Sequence, residues 1–342
     1  NLERLREDDF DKPFFIGYSV SDIKFNFSLA TLGAVVNSAE TRNRSWNARV
    51  IVGDYHINDE NFSNAFQGNS YDPGYETLPL EDDYWGIRRV FWIATNNIYK
   101  SAARNYAQKV KTLEENSLDY PLADFSEEKP VKYYETAVYE HVELDVLEKL
   151  TKDISLRFCD YPSFVNSGAY ASNISSINYF VNSEGTEVQT PGNVASLYVN
   201  ASALGKKNVP RSFHLQYLAS SFNALPSIED IHKDIDVMAE SALKSHEIKN
   251  LDDDYYGPVL LEGQAVAEFF IANLLNSGED GIIAGRKPMT NANKKAIEEY
   301  FEDLQKEIEK DGNVKIAPGF LNVKAFPFLK SFQDQALIGS FA

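Results

Sequence analysis

The chain has 342 residues, 43% hydrophobic and 13% aromatic, enough apolar material for a full core, which excludes disorder for the chain as a whole. Its 51 acidic against 33 basic residues give a net charge of -18, a surface that repels phosphate backbones and anionic lipid and argues against nucleic-acid or membrane partners. No apolar run approaches the roughly 18 residues of a membrane span, and the lone Cys159 leaves no internal disulfide framework or cysteine-based zinc ribbon.

The first segment reads as sheet. Phe14 to Val20 is apolar and aromatic, and β-rich stretches at 24–36 and 45–53 flank a polar run, 37–44, that reads as an exposed hairpin end. After the acidic trio Glu81-Asp82-Asp83, the residues Ile87, Phe91, Ala94, Ile98, Ala102, Tyr106 and Val110 recur at helical spacing. The trio sits where carboxylates cap a helix start, and capping is favoured over cation binding.

Asn116 to Pro130 is polar and reads as a linker or excursion. Tyr133 to His141 looks extended, and a helix over 143–154 places Leu147, Leu150 and Ile154 on one face. Residues 165–221 are strand-rich, with a hairpin at Asn182-Ser183-Glu184-Gly185, where glycine supplies a positive φ. Ser227 and Asp230 open the next helix in capping-box style, with Ile228, Ile231, Ile235, Met238 and Ala242 as its buried stripe. Asn250 to Pro258 is the candidate domain boundary. It is followed by a short strand at 259–261, a helix over 263–276, a glycine-rich loop at 278–285 and a charged helix carrying Ile297, Phe301, Leu304 and Ile308. The organisation expected is a β-rich α+β region over 1–250, with a sub-boundary near 116–131, and the start of a second region over 251–342.

The search for chemistry returns little. None of His56, His141, His214, His232 and His246 has a second histidine three to five residues away, the spacing that places two imidazoles on one helical face. There is no Gly-x-Ser-x-Gly elbow and no Walker loop. Cys159, beside Phe158, reads as a buried small hydrophobe. Five Asn-x-Ser sites, at Asn26, Asn43, Asn61, Asn173 and Asn200, match the short glycosylation pattern.

Five segments together resemble the PmbA/TldD family of predicted zinc-dependent peptidases. They are Lys12 to Asp22; Ser38 to Ser45 with Arg49 to Asp54; Leu78 to Tyr84 with Arg88, Arg89 and Trp92; Tyr179 to Thr186; and Gly257 to Phe270. The resemblance implies an α+β fold of antiparallel sheets with long packed helices. In zinc-bearing members the central helix carries His-Glu-x-x-x-His. Aligned on Ala265 and Val266, that motif falls on Gly263, Gln264 and Glu268; shifted by one, it falls on Glu262, Gly263 and Ala267. Neither register supplies a ligand set, since glycine has no donor and glutamine cannot act as a general base.

The resemblance therefore implies a metal-free paralogue with no catalytic or metal-binding residue and no cofactor of its own. Zinc is expected only on a partner, which is a paralogous PmbA/TldD subunit or a second copy, and the complex would take a peptide substrate. A stand-alone binding or structural protein and a divergent peptidase with other ligands are the alternatives. The resemblance implies a bacterial source. A cytoplasmic setting is preferred, with export left open because the chain does not begin with methionine. Ala336 to Ala342 resembles the entry to the family's C-terminal core, so truncation is expected there.

Overall fold

The computed structural model describes residues 5, 10–63, 78–117, 120, 122–136, 138–204, 210–245, 254–275, 288–291, 293–309, 331–332 and 335–336. β1 (Pro13–Thr31) and β2 (Ala34–Val52) form one long antiparallel hairpin. At about 3.3 Å per residue each strand spans roughly 60 Å. The chain reverses at Leu32 and Gly33, both with positive φ (48° and 79°), the requirement of a two-residue turn whose twist matches the strands. The polar run 37–44 is therefore not a hairpin end. It lies inside β2, the sheet's edge strand, where charged side chains are tolerated and discourage further pairing.

β3 (Phe62–Ser63) is a short strand that pairs in parallel with β8 (Met289–Thr290). β4 (Lys132–Tyr134), β5 (Phe164–Asn182), β6 (Glu187–Leu204) and β7 (Pro210–Ala219) complete the main sheet. Its order is β2-β1-β5-β6-β4, with β7 also on β6, and only the β4–β6 pair is parallel. The turn from β5 to β6 falls at the expected place, with Gly185 at φ 101°. Its Ser183 exchanges hydrogen bonds with Ile16 of β1, 2.8 Å from Ser183 N to the Ile16 carbonyl and 3.0 Å from Ile16 N to Ser183 Oγ.

Two apolar cores occupy opposite ends of one sheet face. At one end α1 (Tyr84–Glu115) sets Ala94, Ile98 and Ala102 against Ile16, Trp46, Ala48 and Val50. At the other, α2 (Leu144–Leu156) and α3 (Ile228–Ser245) bring Leu147, Ile154, Ile231 and Ile235 onto Ala169, Ala171, Leu197 and Val199. The caps are those the sequence signals: Asp83 accepts from Trp85 N and Gly86 N, and Ser227 Oγ accepts from Asp230 N at 3.2 Å.

Between the two cores the same face is polar. Asp22, Asn26, Asn173 and Ser175 are buried there beneath the extended stretch before α2. Asn26 Nδ2 donates to the Val142 carbonyl at 2.7 Å, and Glu140 N donates to Ser175 Oγ at 2.9 Å. This burial also closes two of the five Asn-x-Ser sites, Asn26 and Asn173, to a glycan in the folded chain.

Three other expectations are revised. The stretch after α1 is anchored rather than linker-like: Tyr120 is 2% exposed and the Asp124 side chain is fully buried. Cys159 is exposed, because the 3₁₀ turn Arg157–Asp160 directs Phe158 inward instead. Residues 259–261 form no strand and stay exposed. The expected helix near 263 is α4 (Gln264–Phe270), prolonged by a π turn over Ile271–Leu275, and α5 (Lys294–Glu309) buries Ile297 against β8 and Tyr120. β9 (Ser331–Phe332) and β10 (Gln335–Ala336) pair antiparallel. Residues 250–253, the loop 278–285, His246 and residues 337–342 lie outside the described residues.

Candidate functional site

The positions aligned with the zinc motif lie at the start of α4. Gly263 is its N-cap, at φ 60° and ψ -133°, and a Cβ built there would have no atom within 4 Å. Gln264 is the first helical residue, Glu268 stands one turn on and is exposed, and Glu262 and Ala267 of the alternative register are exposed as well.

Glu268 and Ala265 form one wall of an open cleft of about 500 Å³ whose other walls are Phe213 and Leu215 of β7 and Asp234, Val237 and Met238 of α3. Asp234 accepts a 2.6 Å hydrogen bond from Tyr217. Burial and that bond push the Tyr217 hydroxyl well above the usual phenol range. An apolar cleft with carboxylates on two walls can seat an apolar or cationic side chain. Sequence spacing gave no hint of it, since its residues come from a strand and two helices and meet only through the fold. His214 also lines the cleft and stacks on Tyr198, with ring centroids 5.9 Å apart. Of the other histidines, His232 contacts the Asp153 carbonyl at 3.2 Å and His141 contacts Glu143 at 2.8 Å.

The residues present do not fit a zinc ion. Gly263 offers no donor and Glu268 is a single carboxylate. Among the described residues no group of three or more His, Cys, Asp or Glu side chains could hold a metal.

Two ionic networks lie elsewhere in the frame, on β1, β2 and α1 and in the stretch after α1. Asp22 accepts from Arg42 (2.7 Å) and Arg44 (2.6 Å), and Arg44 also reaches Asp82 at 2.8 Å. Burial alone would raise the Asp22 carboxyl, but the hydrogen bonds and charges of the two arginines outweigh it and hold it at about 2. Deeper, Lys109 and Asp124 form an ion pair at 2.5 Å with both side chains at 0% exposure. Lys109 Nζ also donates to the Glu60 carbonyl at 2.7 Å, and Asp124 accepts from Tyr120 (2.8 Å) and Asn58 N (3.1 Å). Beside this pair, burial pushes the Asp59 carboxyl up to about 7, against the 2.8 Å hydrogen bond it accepts from Val52 N.

The fold is α+β, an antiparallel-dominated sheet with long helices packed on one face. The chain is similar to three solved structures. One is a candidate modulator of a DNA gyrase from Thermotoga maritima, at 15% identity and a TM-score of 0.44 over 69% of this chain and 46% of that one. TldE from Thermococcus kodakarensis matches at 15% identity and 0.40, over 68% and 44%. A candidate modulator of DNA gyrase from Bacteroides thetaiotaomicron matches at 12% identity and 0.45, over 70% and 47%. The matched part is less than half the length of each of these structures. No protein-family model and no curated protein matches the chain. Among the described residues no helix is long and apolar enough to cross a membrane.

Proposed function

We propose that this chain is a PmbA/TldD-type protein acting as the metal-free subunit of a peptide-degrading complex, shaping the substrate chamber while a paralogous partner supplies the zinc. The observation that supports the reading is the start of α4, where Gly263 is the N-cap and Gln264 the first helical residue, the two positions that the sequence resemblance aligns with the family's His-Glu pair.

A second feature supports it. Segments that carry the sequence resemblance, dispersed along the chain, contact one another in the fold. Asp22 of the first meets Arg42 and Arg44 of the second, Arg44 meets Asp82 of the third, and Ser183 of the fourth bonds Ile16 of the first. Residues that resemble a family's motifs through shared architecture are expected to be mutual neighbours in this way.

The test is metal content by mass spectrometry on the full-length gene product, purified alone and with its nearest paralogue. The expected result is zinc near zero alone and about one per pair. Zinc near one per chain in the isolated protein would sink the reading and make Glu262 and Glu268 the first ligands to mutate.

A further inference from the structure

Glu140, in the extended stretch before α2, sits over the polar middle of the sheet face. Ser221 Oγ donates to its carboxylate at 2.7 Å and Phe222 N at 3.1 Å. Asn193 Nδ2 donates to the other carboxylate oxygen, and also to the Ser220 carbonyl at 2.9 Å. Three donors fill three of the carboxylate's roughly four lone-pair sites. Asn173 Nδ2 reaches the Glu140 carbonyl at 3.4 Å.

The two asparagines leave acceptors in excess. Asn173 is 3% exposed, and neither its Oδ1 nor the buried Oδ1 of Asn193 accepts a hydrogen bond. An acceptor buried without a donor is destabilising and calls for a physical cause. Turning the amides over removes nothing. It would set the Asn193 oxygen against the Glu140 carboxylate and the Asn173 oxygen against the Glu140 carbonyl. Residues 173 and 175 share one face of β5, and Asn193 stands opposite Ser175. The asparagines are therefore diagonal neighbours about 7–8 Å apart, a gap that two amide side chains can close on one ion.

Charge favours an ion over water. Among the described residues the donors that reach the Glu140 carboxylate are an amide, a hydroxyl and a backbone N–H, none of them cationic. Nearby cations are engaged, Lys24 over the Tyr139 ring at 4.5 Å and Arg42 on Asp22 at 2.7 Å. Water would satisfy the two oxygens and leave the charge unmatched; a cation does both. Oxygen donors without thiolate or imidazole select a hard ion, and one carboxylate balances one charge, where calcium sites gather several.

We propose that Asn173 Oδ1, Asn193 Oδ1 and the Glu140 carboxylate bind a monovalent alkali cation, which pins the stretch before α2 and the β7–α3 connection to the sheet between its two cores. The site lies apart from α4 and does not rest on the peptidase reading.

The test is melting of the full-length gene product at matched ionic strength in sodium, potassium and N-methylglucamine chloride, the last cation being too large to enter. The expected result is a saturable rise of at least about 2 °C in sodium or potassium, the larger rise naming the ion. Sodium NMR lines should broaden with the protein, and potassium should compete the broadening away. Asn193→Leu should erase the difference between the salts. Asn173→Asp, which adds a second carboxylate, should move the response to calcium. Equal melting in all three salts with unbroadened sodium lines would mean buried water only and overturn the proposal. A salt preference that survives Asn193→Leu would overturn it too, as would a wild type that responds more to calcium than to either alkali ion. Should a variant fail to fold, the sodium lines of the wild type still decide.

Discussion

Among the described residues from 13 to 245 the ionic groups that enter the interior meet partners, whereas from Asp254 to Ile271 large apolar side chains stand in solvent. Lys109 and Asp124 are fully enclosed and paired, and Asp22 is clasped by two arginines. Tyr256 is 91% exposed, Leu260 83% and Phe269 57%. The first region is a frame whose stability lies in its own contacts. The second carries a run of exposed apolar side chains, a feature common at interaction sites, together with the positions aligned with the zinc motif. Architecture and candidate site thus differ in what they depend on, and substitutions in each should behave differently.

The largest effect is expected at the buried ion pair. Lys109→Met leaves the Asp124 carboxylate uncompensated and should cost about 3–5 kcal/mol by urea denaturation. Adding Asp124→Leu should recover much of that loss, because the pair's desolvation cost disappears with it.

Next come two carboxyls with opposite pH behaviour. Asp22 has its folded pKa depressed from 3.8 to about 2, so its stabilisation is complete above the unfolded value and disappears as pH falls through the folded one. The shift corresponds to about 2 kcal/mol, and Asp22→Asn should abolish that acid-side slope in pH-dependent melting. Asp59 is the reverse: its pKa is raised from 3.8 to about 7, so wild-type stability should decline as pH rises between those values. Asp59→Asn, which keeps an acceptor for Val52 N, should flatten the decline, a difference of roughly 2 kcal/mol once solvent near this half-buried residue is allowed for. A wild-type profile flat from pH 4 to 8 would show that Asp59 does not titrate as its burial requires.

The smallest effects belong to the exposed segment. Leu260→Ser and Phe269→Ser should each change the stability of the isolated chain by less than about 0.5 kcal/mol, since neither side chain gives up a packed environment on unfolding. A loss above 2 kcal/mol for either would mean the segment is part of the frame after all.

The helices were legible in the sequence because each carries a local signal. Asp83 and Ser227 cap where short polar side chains should, and Ala94, Ile98 and Ala102 face the core at the spacing that predicts it. The sheet was only half legible. The run 37–44 lacks apolar alternation because it forms an edge, and the Leu32–Gly33 turn lacks the Asn-Gly signature, so one 19-residue strand read as two pieces with a loop between. Asp124 could not be anticipated: its partners Lys109, Asn58 and Tyr120 come from separate segments, and a polar stretch bearing proline looks the same whether it is solvated or pinned. The cleft beside Glu268 was invisible for the same reason, its walls being assembled from distant elements. Cys159 shows the limit of neighbour arguments, because in a 3₁₀ turn the residue after a buried phenylalanine points outward.

The central claim, that this chain shapes a site whose chemistry is supplied elsewhere, is tested most directly by peptide hydrolysis in the co-purified pair. Glu262→Ala/Glu268→Ala in this chain should leave kcat within about twofold, because neither carboxylate would touch the reacting atoms. A fall of a hundredfold or more, with the pair still assembled, would contradict the account and place a catalytic group on α4.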